Sequence, residues 1–295
     1  MKVLLCGASG FIGGRISQTL TLAGHHVVPA RSARHGKPGE GLVADFNLDT
    51  DSATWLPRLA GIEAVVNAVG VLRDSRQRPI QAVHEATPKA LFDACVQAGI
   101  RRVIQISALG IEGSATRYAQ TKLAAERHLL GYNSEDRLDG IVLRPSIVFG
   151  AGGDSSKLFM GLAQSPALLL PQAVIQARVQ PVAVQDLAQA VARLLGPALD
   201  VKGILACVGP APLTLAEFIA SLRAQLGKRP ARTMSLPDVL TQLSARIGDQ
   251  IPSLPWCSDS LAMLGQDNVA PAQPFMDVLG RTPVAPADLV KTSWR

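Results

Sequence analysis

Tyr118 and Lys122 stand four residues apart in "YAQTK" (118–122), near the start of a predicted helix, so their side chains share one helical face. A phenol has a pKa of about 10, and a nearby ammonium group favours the phenolate. We therefore expect Lys122 to lower the pKa of Tyr118, so that the tyrosine can exchange a proton with a carbonyl or an alcohol near neutral pH. The alternative is an exposed helical pair without a chemical role. The second tyrosine, Tyr132, has no lysine four residues further on.

Ser107 ends the fifth predicted strand, "RRVIQIS" (101–107). Ligands of open parallel sheets bind at the carboxyl ends of the strands. We expect Ser107 to hold a substrate oxygen beside Tyr118, and a helix or loop cap is the alternative. The candidate catalytic side chains are thus Tyr118, Lys122 and Ser107.

Three glycines with the spacing G-x-x-G-x-x-G follow the first predicted strand and open a helix in "GASGFIG" (7–13). Gly7 permits the tight turn, Gly10 lets the backbone approach a phosphate, and Gly13 lets the helix pack closely on the strand. The helix N-terminus offers free N–H groups and a positive dipole end to a pyrophosphate. The stretch predicts a dinucleotide site, and an ordinary strand–helix turn is the alternative.

The end of the second strand, "VVPARSAR" (27–34), carries basic rather than acidic side chains. NAD sites usually have Asp or Glu at this point, on the ribose 2′-OH, whereas a guanidinium group suits the 2′-phosphate of NADP. Arg31, Ser32 and Arg34 therefore favour NADP, with NAD possible. The alternative is that both arginines are solvated loop charges. Glu40 lies too far along the loop to replace the missing acid.

Strand-like and helix-like segments alternate through the first half of the chain. The predicted strands are 2–6, 25–30, 41–44, 63–69, 101–107 and 139–146, and the predicted helices are 11–22, 79–99 and 118–130, the last of these ended by Gly131. Such alternation predicts right-handed βαβ units and an α/β fold with a doubly wound parallel sheet. The alternation fades after Gly150, so we expect a dinucleotide-binding domain at 1–150 and a smaller C-terminal α/β substrate lobe at 151–295, packed on the first and not independent.

Composition excludes several classes of protein. The net charge of +6 is scattered, with one close cluster at "RSARHGK" (31–37), so we expect a small-molecule substrate and no nucleic-acid partner. Cysteines at 6, 95, 207 and 257 lack metal or redox spacing, which favours a reducing compartment and no metal. No apolar run reaches about 18 residues, so we expect no membrane span and a cytoplasmic location. His84 and His128 are expected to be packed or solvated, and the oligomeric state stays open.

Several stretches match one family: "GASGFIG", "ADF" (44–46), "NAVG" (67–70), "ISALG" (106–110), "YAQTK" and "LRPSIVFG" (143–150). With these motifs the chain resembles the short-chain dehydrogenase/reductase superfamily, and the last motif is similar to its extended and atypical branches, related to nucleotide-sugar epimerases. It looks most like the atypical NAD(P)-binding group that includes the 39-kDa accessory subunit of respiratory complex I. That likeness rests on "VHEATPKALFDAC" (83–95), "ISALG" (106–110), "PVAVQDLAQAV" (181–191) and "SDSLAMLGQDNV" (258–269).

The resemblance implies a Rossmann fold and a role for each matching position. Tyr118 would be the proton donor, Lys122 would hold the nicotinamide ribose, and Arg31 would meet the adenosine phosphate. Ala108 and Leu109 follow Ser107, where epimerase-like relatives often carry further Ser or Thr. The remaining implied cofactor contacts are Gly7, Ser9, Gly10, Phe11, Ile12 and Gly13 in the turn, Asp45 and Phe46 at the adenine, Ala68, Val69 and Gly70 beneath the cofactor, and Pro145 and Ile147 near the nicotinamide.

These observations favour an NADP(H)-dependent oxidoreductase of the short-chain dehydrogenase type, in which hydride transfer accompanies proton exchange at Tyr118. A second hypothesis is a non-catalytic NADP(H)-binding protein with a structural, assembly or redox-sensing role. A third is a nucleotide-sugar epimerase or dehydratase. The sequence names no substrate.

Overall fold

A computed structural model describes residues 1–32, 41–75, 77–196, 199–237, 241, 261–262 and 264–294. Its strands are β1 Lys2–Cys6, β2 His26–Arg31, β3 Leu42–Val43, β4 Ala64–Asn67, β5 Arg102–Ile106, β6 Asp139–Pro145, β7 Val148–Phe149, β8 Ala167–Pro171, β9 Arg178–Val179, β10 Val182–Ala183, β11 Gly203–Cys207, β12 Leu213–Thr214 and β13 Arg232–Leu236. Its α-helices are α1 Phe11–Leu22, α2 Ser52–Trp55, α3 Thr87–Gln97, α4 Arg117–Ser134, α5 Asp154–Gln164, α6 Gln172–Gln176, α7 Val184–Leu195, α8 Leu215–Gln225, α9 Gln273–Leu279 and α10 Leu289–Ser293.

A seven-stranded sheet in the order β11-β6-β5-β4-β1-β2-β3 forms the centre of the α/β fold. Pairing is parallel from β3 through to β6, with Leu4 opposite Val28 on one side and Val65 on the other. The order reverses beside β1, which makes the crevice between β1 and β4 the switch point where such sheets bind ligands. The predicted α/β class and doubly wound sheet are therefore confirmed.

The central strands read as continuous apolar runs because both faces of the sheet are covered. Val3, Leu4, Leu5 and Cys6 are all fully buried in β1. One cluster of buried side chains, which includes Trp55 and residues of β4, α3 and α4, packs beside these strands. Burial raises the pKa of the Cys6 thiol to about 12, as expected for a cysteine that serves as a small apolar side chain.

The chain divides into two compact units. The first comprises Met1–Arg144 and Leu187–Leu205, and the second comprises Pro145–Asp186 and Ala206–Arg295. This division differs from the expected single boundary at 150, because the chain returns to the first unit with most of α7 and the start of β11. The second unit contains the paired strands β7–β10, β9–β12 and β8–β13 and a core that includes Phe149, Phe159 and Phe218.

Two predicted helices differ in detail from the observed ones. The helix expected over 79–99 contains a π-helical turn at Ala82–Ala86 before α3 begins. Helix α4 continues through Gly131 to Ser134, so the predicted end at Gly131 is wrong. The chain instead turns at Asp136, which adopts a positive φ of 51°, and Arg101 Nη1 donates to the carbonyl oxygen of Asp136.

Within the described ranges, every helix is too short or too polar to cross a membrane.

Candidate active site

A cavity of about 290 Å³ opens in the first unit, beside the residues that follow β1, β2, β3 and β4. Ten of its lining residues belong to the predicted cofactor site. These are Gly7, Ser9, Gly10, Arg31, Ser32, Asp45, Phe46, Ala68, Val69 and Gly70. The sequence thus anticipates most of the lining of this cavity, because each group follows a strand whose position the apolar pattern reveals.

The turn after β1 has no room for side chains at two of its glycines. Gly7 adopts a positive φ of 81°, and a Cβ there would stand 3.0 Å from the backbone of Ala68. A Cβ at Gly13 would stand only 2.0 Å from the carbonyl oxygen of Gly7. The turn therefore lets the start of α1 lie directly against the chain that leaves β1.

Helix α1 begins at this turn with an open N-terminus. Its N-cap is Gly10, which supplies no side-chain hydrogen bond, and no acidic residue lies in its first turn. Phe11, Ile12 and Gly13 form that turn but are not part of the cavity lining. A helix start with bare N–H groups and a positive dipole end fits a pyrophosphate, so the turn and the cavity together fit a dinucleotide.

Basic and acidic side chains both line the cavity. Arg31 ends β2 and lines the cavity with Ser32, while Arg34 lies outside the described residues. Asp45 forms a turn in which its Oδ1 accepts from the N–H of Asn47 at 2.9 Å. The Phe46 ring packs edge-on against Trp55, with 5.7 Å between centroids. The aromatic contact fixes the loop that forms this wall of the cavity.

The loop after β4 is held by a buried amide pair. Asn67 Nδ2 donates to Gln105 Oε1 at 2.8 Å, which joins the ends of β4 and β5. Asn67 Oδ1 accepts from the N–H of Val69 at 3.1 Å, so the same side chain shapes the loop that lines the cavity. Gln105 Nε2 in turn donates to the carbonyl oxygen of Ile106 at 3.0 Å.

Tyr118 and Lys122 lie in the first turns of α4, whose N-cap Thr116 accepts a hydrogen bond from the N–H of Ala119. The Lys122 Nζ stands 5.8 Å from the centroid of the Tyr118 ring. It also donates to the carbonyl oxygen of Ile106 at 3.1 Å, at the carboxyl end of β5. The structure therefore brings the predicted pair together on one helical face beside the end of a sheet strand.

The expected lowering of the Tyr118 pKa is wrong for this structure. Burial raises the pKa of Tyr118 to about 12, and the negative charge of Glu126 adds to the rise. Burial also lowers the pKa of Lys122 to about 8, with Glu126 acting in the opposite direction. Desolvation is the largest cause of both shifts, because both charged forms lose water on burial.

Glu126 and Arg144 form a buried ion pair that the sequence analysis missed. The Arg144 Nε lies 3.1 Å and 3.2 Å from the two carboxylate oxygens of Glu126, and its Nη1 lies 2.7 Å from Glu112 Oε1. Glu126 is 1% exposed. It continues the spacing of Tyr118 and Lys122 along the helix by another four residues, and that spacing was the available signal.

Ser107 follows β5 directly and is 5% exposed. Its N–H donates to the carbonyl oxygen of Leu143 at 2.7 Å, whereas its Oγ has no hydrogen-bond partner. A buried hydroxyl without a partner is costly to a fold, so this one fits a position where a ligand oxygen completes the bond.

Some predicted site residues do not line the cavity. Pro145 and Ile147 belong to the second unit, where Ile147 packs against its core, and Lys122 is not part of the cavity lining. The sequence analysis missed further lining residues, namely Ala30, Ala44, Asn47, Val71, Arg78 and Val83. Most of these neighbour a residue that was predicted. Arg78 and Val83 are exceptions, because nothing in their local sequence indicates that the chain folds back to the cavity.

Curated relatives match part of the chain. A UDP-glucose 4-epimerase from Vibrio cholerae is 24% identical over 173 residues, which cover 51% of this chain and 53% of that protein. A 3-beta-hydroxysteroid dehydrogenase from Mycolicibacterium neoaurum is 30% identical over 182 residues, which cover 51% of this chain and 48% of that protein. The chain thus spans about half the length of these relatives.

Solved structures share the fold along the whole chain. A UDP-glucuronic acid 4-epimerase from Bacillus cereus, solved with UDP-glucuronic acid and NAD, superposes with a TM-score of 0.70 at 18% identity and covers 99% of this chain and 98% of that chain. The family model described as "NAD dependent epimerase/dehydratase family" matches residues 3–201. Since that match takes in the glycine turn, the cavity and the Tyr118–Lys122 pair, the chain belongs to the NAD-dependent epimerase/dehydratase family.

Proposed function

We propose that this chain is an NADP(H)-dependent oxidoreductase that reduces a carbonyl group, with Tyr118 as proton donor. The observation that carries the proposal is the Tyr118–Lys122 pair, in which Lys122 Nζ donates to the carbonyl oxygen of Ile106 at the carboxyl end of β5, one residue before the unpartnered hydroxyl of Ser107. A nicotinamide cofactor supplies hydride when it is bound. A phenol with a pKa of about 12 is protonated at neutral pH, so Tyr118 holds the proton that a carbonyl oxygen would take as it is reduced.

The neighbouring side chains support this role. The Ser107 hydroxyl can donate to the same carbonyl oxygen, and the Lys122 ammonium can donate to the ribose hydroxyls of a cofactor while it stays bonded to Ile106. The coulombic effect of Glu126 raises the pKa of Tyr118 further, which favours the protonated phenol. The reductive direction therefore suits the protonation state of the pair.

NADP is the proposed cofactor because Arg31 and Ser32 both line the cavity at the end of β2. We expect Arg31→Ala to weaken NADPH binding by about tenfold or more, in line with the loss of a charge-assisted hydrogen bond, and to leave NADH binding within about threefold. Calorimetric titration with both cofactors measures this difference. Arg15→Ala is the matched control, since Arg15 bonds to Gln18 on the exposed face of α1. Equal losses for both cofactors would contradict the assignment to NADP.

A second candidate function is epimerisation of a nucleotide sugar. The match to the Vibrio cholerae UDP-glucose 4-epimerase favours it. Inverting a carbinol centre through a ketone needs the same proton exchange at one oxygen, so Tyr118, Lys122 and Ser107 would serve both reactions. The substrate panel below separates the two functions.

The test compares Tyr118→Phe with Tyr132→Phe on one panel of substrates. The panel holds steroid and other apolar ketones with NADPH, and UDP-sugars with NAD. We expect Tyr118→Phe to lower turnover by about a hundredfold or more while cofactor affinity stays within about threefold. Tyr132 lies further along α4, and Tyr132→Phe loses only a hydrogen bond to Asp93 of α3, so this variant should keep wild-type turnover.

The outcomes distinguish the hypotheses. Ketone reduction that depends on Tyr118 supports the oxidoreductase, and interconversion of UDP-sugars supports the epimerase. Tight cofactor binding without turnover on the whole panel would contradict both and would leave the non-catalytic NADP(H)-binding role.

A further inference from the structure

His84 occupies an unusual position for a buried histidine. It lies in the π-helical turn Ala82–Ala86 and is 2% exposed. Turns of this kind interrupt the regular helical hydrogen bonds and are frequent at functional sites. The sequence alone predicts a packed or solvated histidine at this position.

Both ring nitrogens of His84 face defined partners. Nε2 accepts from the backbone N–H of Val71 at 2.9 Å. Nδ1 lies 3.5 Å from Thr121 Oγ1, whose hydroxyl donates to the carbonyl oxygen of Arg117 at 2.8 Å. Because Nε2 is an acceptor, the proton of the neutral ring is on Nδ1, where it faces the threonine oxygen.

The ring also contacts the candidate catalytic tyrosine. The imidazole and the Tyr118 phenol ring meet edge to face, with 5.2 Å between centroids and 86° between planes. Gly70 lies next to both side chains, because a Cβ there would be at ordinary contact distance from Lys122 Nζ (3.5 Å) and from His84 Nε2 (3.7 Å). Burial, together with the charge of Lys122, lowers the pKa of His84 to about 2, so the ring stays neutral.

We propose that His84 is a positioning residue that ties the cavity loop at Val71 to helix α4 and thereby orients the Tyr118 ring. Val71 lines the cavity, and Thr121 lies between Tyr118 and Lys122 on the helix. One imidazole thus connects the backbone expected to contact the cofactor with the turn that carries the proton donor. The inference rests on the proposed function, because only a Tyr118 that donates a proton needs its ring to be held in one orientation.

The shape of the ring alone does not account for this arrangement. A phenylalanine would fill a similar space and keep an edge contact to Tyr118, but it would leave the Val71 N–H without its acceptor. A glutamine places a carbonyl oxygen near the position of Nε2 and can accept that bond. The pair His84→Phe and His84→Gln therefore separates packing from hydrogen bonding.

The first measurement needs no turnover. A long-range ¹H–¹⁵N spectrum of histidine-labelled protein at pH 7 reports the protonated nitrogen of each of the five histidines, and His84→Gln identifies the signal of His84. We expect a neutral ring with the proton on Nδ1. A proton on Nε2, or a doubly protonated ring, would overturn the proposal.

The second measurement compares cofactor affinity and turnover. We expect His84→Phe to weaken NADPH binding and to lower kcat, each by about tenfold, and His84→Gln to restore both within about threefold of wild type. His128→Phe is the control, because His128 pairs with Asp93 and takes no part in the cavity lining. If His84→Phe keeps the NADPH affinity and kcat of the wild type, or if the phenylalanine and glutamine variants lose them equally, the proposed positioning role of His84 is refuted.

The two proposals fail in different ways. If the wild-type protein turns over no substrate on the panel, the proposed function fails, whereas the tautomer and the NADPH affinity still decide the role of His84. If His84→Phe does not fold, the tautomer and the affinity of His84→Gln decide it. Either of these going against expectation rejects the proposal.

Discussion

Lys122 is a buried ammonium whose surroundings disfavour its charge. Burial lowers its pKa to about 8, while in the unfolded chain the pKa returns to about 10.4. Between these two values the unfolded chain binds more protons than the folded one, so this group makes the fold more stable as the pH rises through that window. Below pH of about 8 both states are protonated and the cost of burying the charge is present in full.

We expect Lys122→Met to raise the melting temperature at pH 7, because the variant no longer buries this charge. The gain should shrink as the pH is raised from about 8 to about 10, and thermal unfolding across that range measures it. The carbonyl oxygen of Ile106 keeps a donor in Gln105, which limits the loss of hydrogen bonding. Lys157→Met, at an exposed site, should show no such trend. The quantity compared is the melting temperature of the variant minus that of the wild type. A difference that is larger at pH 10 than at pH 7 would contradict the burial argument.

The places of the candidate site residues in the fold were predictable from the sequence, whereas the directions of their pKa shifts were not. The i, i+4 spacing reveals that Tyr118 and Lys122 share a face, and the end of a strand reveals Ser107. The pKa direction depends on how deeply these groups are buried and on Glu126 and Arg144, which pair between a helix and a strand. Such contacts form only when distant segments pack, so local pattern cannot supply them.

At the level of elements, the start of α1 depends on one missing methyl group. A Cβ at Gly13 would lie 2.0 Å from the Gly7 carbonyl oxygen, while a Cβ at the next residue, Gly14, would lie 3.5 Å from that of Ala8. The first is impossible without moving the backbone, and the second is an ordinary contact. The two neighbouring glycines thus offer a matched pair within one helix.

We expect Gly13→Ala to lower the free energy of unfolding by about 2 kcal/mol and to weaken cofactor binding, because α1 must shift away from the turn. Gly14→Ala should be neutral or stabilising by up to about 1 kcal/mol, since alanine is the better helix former. Urea unfolding and calorimetric titration of both variants measure these effects. Equal stability of the two variants would show that the close approach at Gly13 is not what fixes the helix.

The elements themselves were largely predictable, and the exceptions have physical causes. β1 and α1 have the bounds expected from the apolar runs. The π-helical turn at Ala82–Ala86 was not foreseen, because its apolar spacing is compatible with a regular helix. Its distinguishing contact, from Val71 to His84, joins two segments and has no local signature. The end of α4 was predicted too early, because a glycine such as Gly131 can adopt helical φ and ψ angles and does not have to end a helix.

For the whole molecule, the division into units follows packing rather than chain order. Residues 187–205 belong to the first unit, although the segment before them, Pro145–Asp186, belongs to the second. In the sheet, β6 lies between β5 and β11, and Ile141, Val142 and Leu143 are fully buried. A boundary read from fading alternation could not reveal this return, since the strand that completes the sheet is remote in sequence.

We expect a fragment of residues 1–150 to aggregate and to lack a cooperative thermal transition, because β6 would become an apolar edge strand. A chain in which a flexible linker joins residues 1–144 to 187–208 should unfold cooperatively, since it restores both neighbours of β6. Circular dichroism melting and gel filtration compare the two. A monomeric 1–150 fragment with a steep transition would show that the later segment is dispensable to the sheet.

Through the proposed dinucleotide site, the open start of α1 would link the stability of the fold to the concentration of the cofactor. No side chain caps the first N–H groups of α1, so a bound anion would accept their hydrogen bonds. The free energy of that binding would add to the free energy of unfolding. At a nucleotide concentration a hundred times its dissociation constant, the increment is about 2.7 kcal/mol. Without bound dinucleotide, the unfolded fraction of the protein would be roughly a hundredfold larger, and the protein would be degraded faster by proteases.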